Sequence, residues 1–125
     1  MGEYLMDKRR IEITLLGIPA SLNKWSRWHW SKKKKEGDKW KEYIGWKAKE
    51  KYRGKPFKKA KVFVTYYFKD KRTRDKDNYT PKFLCDSLKG IILEDDSIYH
   101  IDLDWELKRQ AEGKPEQTVI RVEEI

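Results

Sequence analysis

The sequence predicts an α+β fold: a single domain with a mixed β-sheet and two main helices, in the order β-α-β-α-β-β. Three observations predict it. Four stretches show the alternation or the β-branched and aromatic density of strands, and two others repeat apolar residues at helical spacing. The two kinds interleave along 125 residues, enough for one core and too few for two.

Residues 1–8 carry no pattern and are expected to fray, leaving 9–125 as the domain. After Arg10, IEITLLGI reads as the first strand, with Ile11, Ile13 and Leu15 on one face. Pro19 and ASLNKWSRWHWSKKKK have no clear period and read as a loop. A helix is expected from Gly37-Asp38, with Asp38 as N-cap and Trp40, Ile44, Ala48 and Tyr52 at four-residue steps; Gly54 and Pro56 end it. KVFVTYYF (61–68) is apolar on both faces, so it belongs in the middle of the sheet. A second helix is expected over 79–89, capped by Asp77 or Asn78, with Pro81 in its first turn, Tyr79, Phe83, Leu84 and Leu88 inward, and Gly90 at its end. HIDLDWELK (100–108) alternates with Ile101, Leu103, Trp105 and Leu107 inward, and QTVIRVEE is the last strand after a turn at 112–116.

Hydrophobic residues make up 38% of the chain, but 17 are Trp, Tyr or Phe, whose large buried areas sustain a core. The one cysteine, Cys85, excludes an internal disulfide framework and a cysteine-rich zinc site; it reads as a buried apolar residue. No apolar run reaches the roughly 18 residues of a membrane span, so a cytoplasmic protein with no membrane partner is expected. His29 and His100 stand too far apart in sequence to suggest a metal pair.

The net charge of +9 points to a polyanionic partner, and its distribution says more. Residues 1–74 carry a net +15, whereas residues 75–104 carry a net −5. Carboxylates repel phosphates, so a chain that only gripped nucleic acid would gain nothing from that acidic segment; divalent cations reverse the repulsion. Asp75-Lys76-Asp77-Asn78 follows the central strand, and if extended geometry continued there, Asp75 and Asp77 would project to one side. Glu94-Asp95-Asp96 is the second carboxylate source. Hard oxygens of this kind suit Mg²⁺, with Mn²⁺ as a substitute. The bland alternative makes Asp77 a helix cap and Glu94–Asp96 turn residues. Lys82, early in the second helix, either balances charge on a phosphate or pairs with Asp86.

The phosphate-gripping residues are expected in two basic stretches. Lys24, Arg27, Lys32 and Lys33 interleave with tryptophans, five of the six lying between Trp25 and Trp46, and Lys69, Lys71, Arg72 and Arg74 precede the acidic run. Positive charge beside flat rings suits nucleic acid with unpaired bases. Trp40 is expected in the core, and Trp28 or Trp30 at the surface.

The stretch KRTRDKDNYTPKFLCDSLKGIILEDDS resembles the signature of RusA-type Holliday junction resolvases: a basic run, Arg-Asp-x-Asp-Asn, a lysine, a helix with glycine, and Asp-Asp before a small residue. Pro19, Ser21 and Asn23 are similar to the family's Pro-x-Ser-x-Asn segment, and Glu36-Gly37 with Trp40 to the start of its first helix. The resemblance implies metal-binding aspartates at Asp75, Asp77 and Asp96, with Asp95 beside it, and an essential lysine at Lys82, although three residues separate Asn78 from Lys82 where the family has two. It further implies a homodimer that binds four-way DNA junctions and resolves them by paired symmetric nicks with Mg²⁺, in recombination and repair. Two rival readings remain. Asp96 with Glu106-x-Lys108 mimics restriction-type nucleases, and a basic nucleic-acid-binding module without catalysis needs no cation.

Overall fold

A computed structural model describes residues 9–97 and 99–125; the expected fraying of residues 1–8 lies outside them. The chain runs β1 (Arg10–Leu16), α1 (Leu22–Ser26), α2 (Trp30–Lys51), β2 (Ala60–Phe68), a 3-10 turn (Lys76–Tyr79), α3 (Lys82–Leu88), β3 (Ile101–Arg109) and β4 (Gln117–Glu124). The four strands form one mixed sheet in the order β1-β4-β2-β3. β4 runs antiparallel to both β1 and β2, and β2 and β3 are parallel. The α+β class and the order of the main elements are as the sequence predicts.

Alternation sets the core. Ile11, Ile13 and Leu15 on β1, Val62, Val64 and Tyr66 on β2, and Ile120 and Val122 on β4 are buried on one face, with Ile44 and Ala48 of α2 and Leu84, Cys85 and Leu88 of α3 in the same cluster. β2 lies between two partners and is buried at most positions, whereas β3, with β2 on one side only, buries its apolar row Ile101, Leu103, Trp105 and Leu107 partly.

Two helices differ from expectation. α2 begins at Trp30, eight residues before Asp38, with His29 as its cap: the His29 ring accepts the Ser31 amide. Lys32–Lys35 are therefore helical, and they stand at the end where the helix dipole disfavours cations. That local penalty hides the start from a sequence reading. The segment before it is not all loop either, since Ser21 caps α1 by accepting from the Lys24 amide at 3.2 Å. The helix expected over 79–89 is two pieces. Thr80 precedes Pro81, whose ring disfavours helical backbone at the residue before it, and Thr80 is extended (ψ 130°). A 3-10 turn capped by Asp75 ends there, and α3 starts afresh after Pro81. Gly90 follows α3 at φ +85°, as a helix-ending glycine should. Phe83, expected inward, is 38% exposed.

The parallel β2–β3 pair dictates where the acidic segment goes. Ala60 is in register with Ile101 and Phe68 with Arg109, so the chain leaving Phe68 must travel back along the sheet to enter β3. The 3-10 turn and α3 are that crossover. Asp75 and Asp77 lie early on the return path and Asp95 and Asp96 at its end.

Candidate active site

β2 ends at Phe68, so strand alternation does not place Asp75 and Asp77. Asp75 instead folds the turn: its Oδ1 accepts the Asp77 amide at 3.0 Å. Between them Lys76 reaches across to β3, pairing with Asp104 at 3.0 Å and lying 4.9 Å from the Trp105 ring centre. The indole Nε1 of Trp105 donates to the Lys76 carbonyl at 2.9 Å. The Lys76 ammonium, and after it the Trp105 amide, hold the Asp104 carboxyl below its ordinary range. The turn is thereby strapped to the sheet while both aspartates stay exposed.

The next residues tie the turn to the remainder of the fold. Asn78 Oδ1 accepts the Asn23 amide at 2.9 Å, which joins the Pro19–Asn23 segment to the Asp75–Asn78 run. Tyr79 packs edge-on against Phe68, ring centres 5.1 Å apart. Arg74 lies 3.8 Å from the Phe68 ring centre and pairs with Asp70 at 2.8 Å, so its guanidinium is held inside the loop. The Arg72 amide, followed by the Arg74 guanidinium, keeps the Asp70 carboxyl below its usual range.

The second carboxylate group follows α3. Asp95 Oδ1 accepts the Asp96 amide at 2.8 Å, and Asp95 stands 3.7 Å from His100 Nδ1. Asp96 is largely shielded and faces Lys89 Nζ at 3.8 Å; Lys89 also meets Asp86, at 3.6 Å. Asp86 therefore pairs with Lys89. Lys82 is exposed at the start of α3 and has no ion pair among the described residues.

Lys76, between Asp75 and Asp77, pairs with Asp104 on β3, whereas Asp95 stands beside His100, just before β3 begins. Among the described residues, no group of three or more His, Cys, Asp or Glu is placed to hold a metal ion. A cation shared among Asp75, Asp77 and Asp95 or Asp96 is therefore a proposal for the metal-bound protein. The donor chemistry still fits a hard cation. Mg²⁺ takes one or two protein carboxylates with water and substrate phosphate, and Asp75 and Asp77 offer two on one short turn.

Lys24 lies on α1, Arg27 caps its C-terminal end, Lys32 and Lys33 lie in the first turn of α2, and α1 packs against the 3-10 turn. Lys32 Nζ stands 4.5 Å from the Trp28 ring centre. Lys69, Lys71 and Arg72 are exposed in the loop after β2. Trp30 is 70% exposed, whereas Trp28 is half-buried and Trp40 packs partly buried against the core. The rival pair Glu106 and Lys108 lies on the sheet face turned away from the core cluster, 3.4 Å apart, with Glu106 accepting from Thr65 Oγ1.

Sequence reasoning missed Lys76, Asp104, Trp105 and Lys89. Lys76 offered one signal, a cation between two aspartates; its partner, 28 residues away, offered none.

No helix among the described residues is long and apolar enough to cross a membrane. A family model described as Endodeoxyribonuclease RusA matches residues 18–123, a span that contains every residue of the candidate site. No curated protein matches the chain.

Proposed function

The chain belongs to the endodeoxyribonuclease RusA family, and from that premise we propose a Mg²⁺-dependent nuclease that resolves four-way DNA junctions by paired symmetric nicks, acting as a homodimer in recombination and repair. One observation carries the reading: the Asp75–Asn78 turn presents two exposed carboxylates from a rigid seat, fixed to β3 through Lys76 and Trp105 and to the basic, aromatic α1 segment through Asn78 and Asn23. A two-fold enzyme suits a two-fold junction, because identical sites reach symmetry-related strands.

Asp75 and Asp77 are the carboxylates that would hold the cation, with Asp96, or Asp95 beside it, as a further donor. The cation supplies neutralisation of the scissile phosphate and a more acidic water. The chain's own residues do the remainder. Lys24, Arg27, Lys32, Lys33, Lys69, Lys71 and Arg72 hold the backbone phosphates and fix the strand in line for attack. Lys82 balances charge growing on the phosphate. Arg74 shares that role less well, because Asp70 and Phe68 already occupy it.

The test is a synthetic four-way junction incubated with and without Mg²⁺ or Mn²⁺, using the native chain and Asp77→Asn. The native chain should nick opposing strands only with the cation, and Asp77→Asn should bind without cutting. Tight binding with intact strands in every metal condition would replace the nuclease with a basic binding module. Cutting that survives Asp75→Ala but not Glu106→Ala would move the chemistry to Glu106 and Lys108.

A further inference from the structure

A cavity of about 310 Å³ opens beside the Asp75–Asn78 turn, between α1, α2 and α3. We propose that it receives one unpaired nucleobase of the bound DNA strand and favours a base that presents an exocyclic amino group. The proposal rests on the nuclease reading above for its substrate and adds a subsite to it.

Trp25, Trp28, Trp40, Tyr79 and Phe83 surround the space. Flat rings bordering an open volume forfeit the contacts they would make in a filled core, and each offers a face on which any base can stack. Trp25 and Trp28 are tilted at 43° with centres 5.5 Å apart, so they do not close the gap by stacking on each other. Leu22 and Phe83, 47% and 38% exposed, leave apolar surface uncovered around its rim. The volume of about 310 Å³ is also that of a small site. It lies at the low end for small-molecule sites, which suits one base and excludes a base pair.

Charge gives the selectivity. Glu36, Asp38 and Asp86 line the cavity against one cation, Lys41, so a phosphate would be repelled. Asp38 is paired with Lys34 and Asp86 with Lys89, while Glu36 makes no ion pair among the described residues. A carboxylate accepts from an amino group and repels a carbonyl oxygen, so Glu36 distinguishes cytosine from uracil and adenine from hypoxanthine. Asn78 also lines the cavity, its amide oriented by the Asn23 N–H. Because Asn78 directly follows Asp77, a base seated here would belong to a nucleotide near the phosphate presented to Asp75 and Asp77.

The experiment measures binding without cleavage: fluorescence anisotropy of labelled single-stranded homopolymers, in chelator, with the full chain. The matched pairs dC against dU and dA against dI exchange an amino group for a carbonyl. The amino member of each pair should bind about tenfold tighter. Glu36→Gln, which offers both donor and acceptor, should erase that preference. Trp28→Leu should weaken every homopolymer by about tenfold. Phe83→Leu, at an exposed ring, is the second variant should Trp28→Leu fail to fold, and it should weaken binding in the same sense. Equal affinities within both pairs, or stacking variants that bind like the native chain, would overturn the pocket. A chain that nicks junctions without base discrimination refutes the pocket and leaves the nuclease reading intact. One that discriminates bases yet never nicks does the reverse.

Discussion

Trp105→Phe separates the positioning of the Asp75–Asn78 turn from the chemistry of its aspartates. Phenylalanine keeps an aromatic ring at the edge of the core but removes the indole N–H that donates to the Lys76 carbonyl at 2.9 Å. A neutral hydrogen bond of this kind contributes about 1 kcal/mol net. The Lys76 ammonium, 4.9 Å from the ring centre, loses part of an exposed cation–π contact, about 0.5 kcal/mol. The Lys76–Asp104 pair remains, and since both side chains are at least half exposed it adds little by itself. The expected destabilisation is therefore about 1.5 kcal/mol, read in urea as a midpoint lowered by roughly 0.5–1 M at unchanged slope. Junction cutting, assayed where both proteins are fully folded, should fall more than tenfold, because small displacements of a catalytic group carry large rate penalties. Trp46→Phe is the control: that ring is 60% exposed and meets Lys47, so its stability should stay within about 0.5 kcal/mol and its cutting should be unchanged. A Trp105→Phe protein that loses the stability but cuts at the native rate would refute the view that this strap positions the aspartates.

Asp104→Asn tests the same strap by pH. The Asp104 carboxyl is held below its ordinary value of 3.8, so its stabilisation is present above that value and is lost as pH falls through the lower folded value. Urea midpoints of native and Asp104→Asn chains should differ near neutral pH and converge in acid. Burial pushes the Cys85 thiol up to about 12 from 9.0, so folded chains should resist a thiol reagent at mildly alkaline pH and react fully in urea. Because the folded pKa is the raised one, Cys85 should also make stability decline as pH climbs from about 9 towards 12. Leu84→Ala, at a fully buried position between α3 and the sheet, should lower unfolding free energy by roughly 2–5 kcal/mol in the same urea assay. Gly17→Ala has room, the nearest Trp40 atom lying 3.9 Å from the new Cβ, so its cost of about 1–2 kcal/mol should come from the φ of +88° alone.

The sequence by itself determined the strands, the faces they bury and the composition of the functional surface. Alternation at Ile11, Ile13 and Leu15, or at Ile101, Leu103 and Trp105, follows from the pleat of a single strand, whatever that strand pairs with. The basic and acidic blocks and the Asp-x-Asp-Asn run are equally matters of order along the chain. The break at Thr80-Pro81 was missed, although its cause is steric and local, because a proline in a first helical turn reads almost the same.

Tertiary structure decided how those pieces meet. The parallel pairing of β2 with β3 sends residues 69–100 back along the sheet, and that path sets where Asp75 and Asp77 stand relative to Asp95 and Asp96. Lys76 finds Asp104, and Asn23 finds Asn78, only because the crossover brings them together across 28 and 55 residues. Backbone sterics act between neighbours and are written in local order, whereas ion pairs, caps by distant groups and cavities depend on where the folded chain returns.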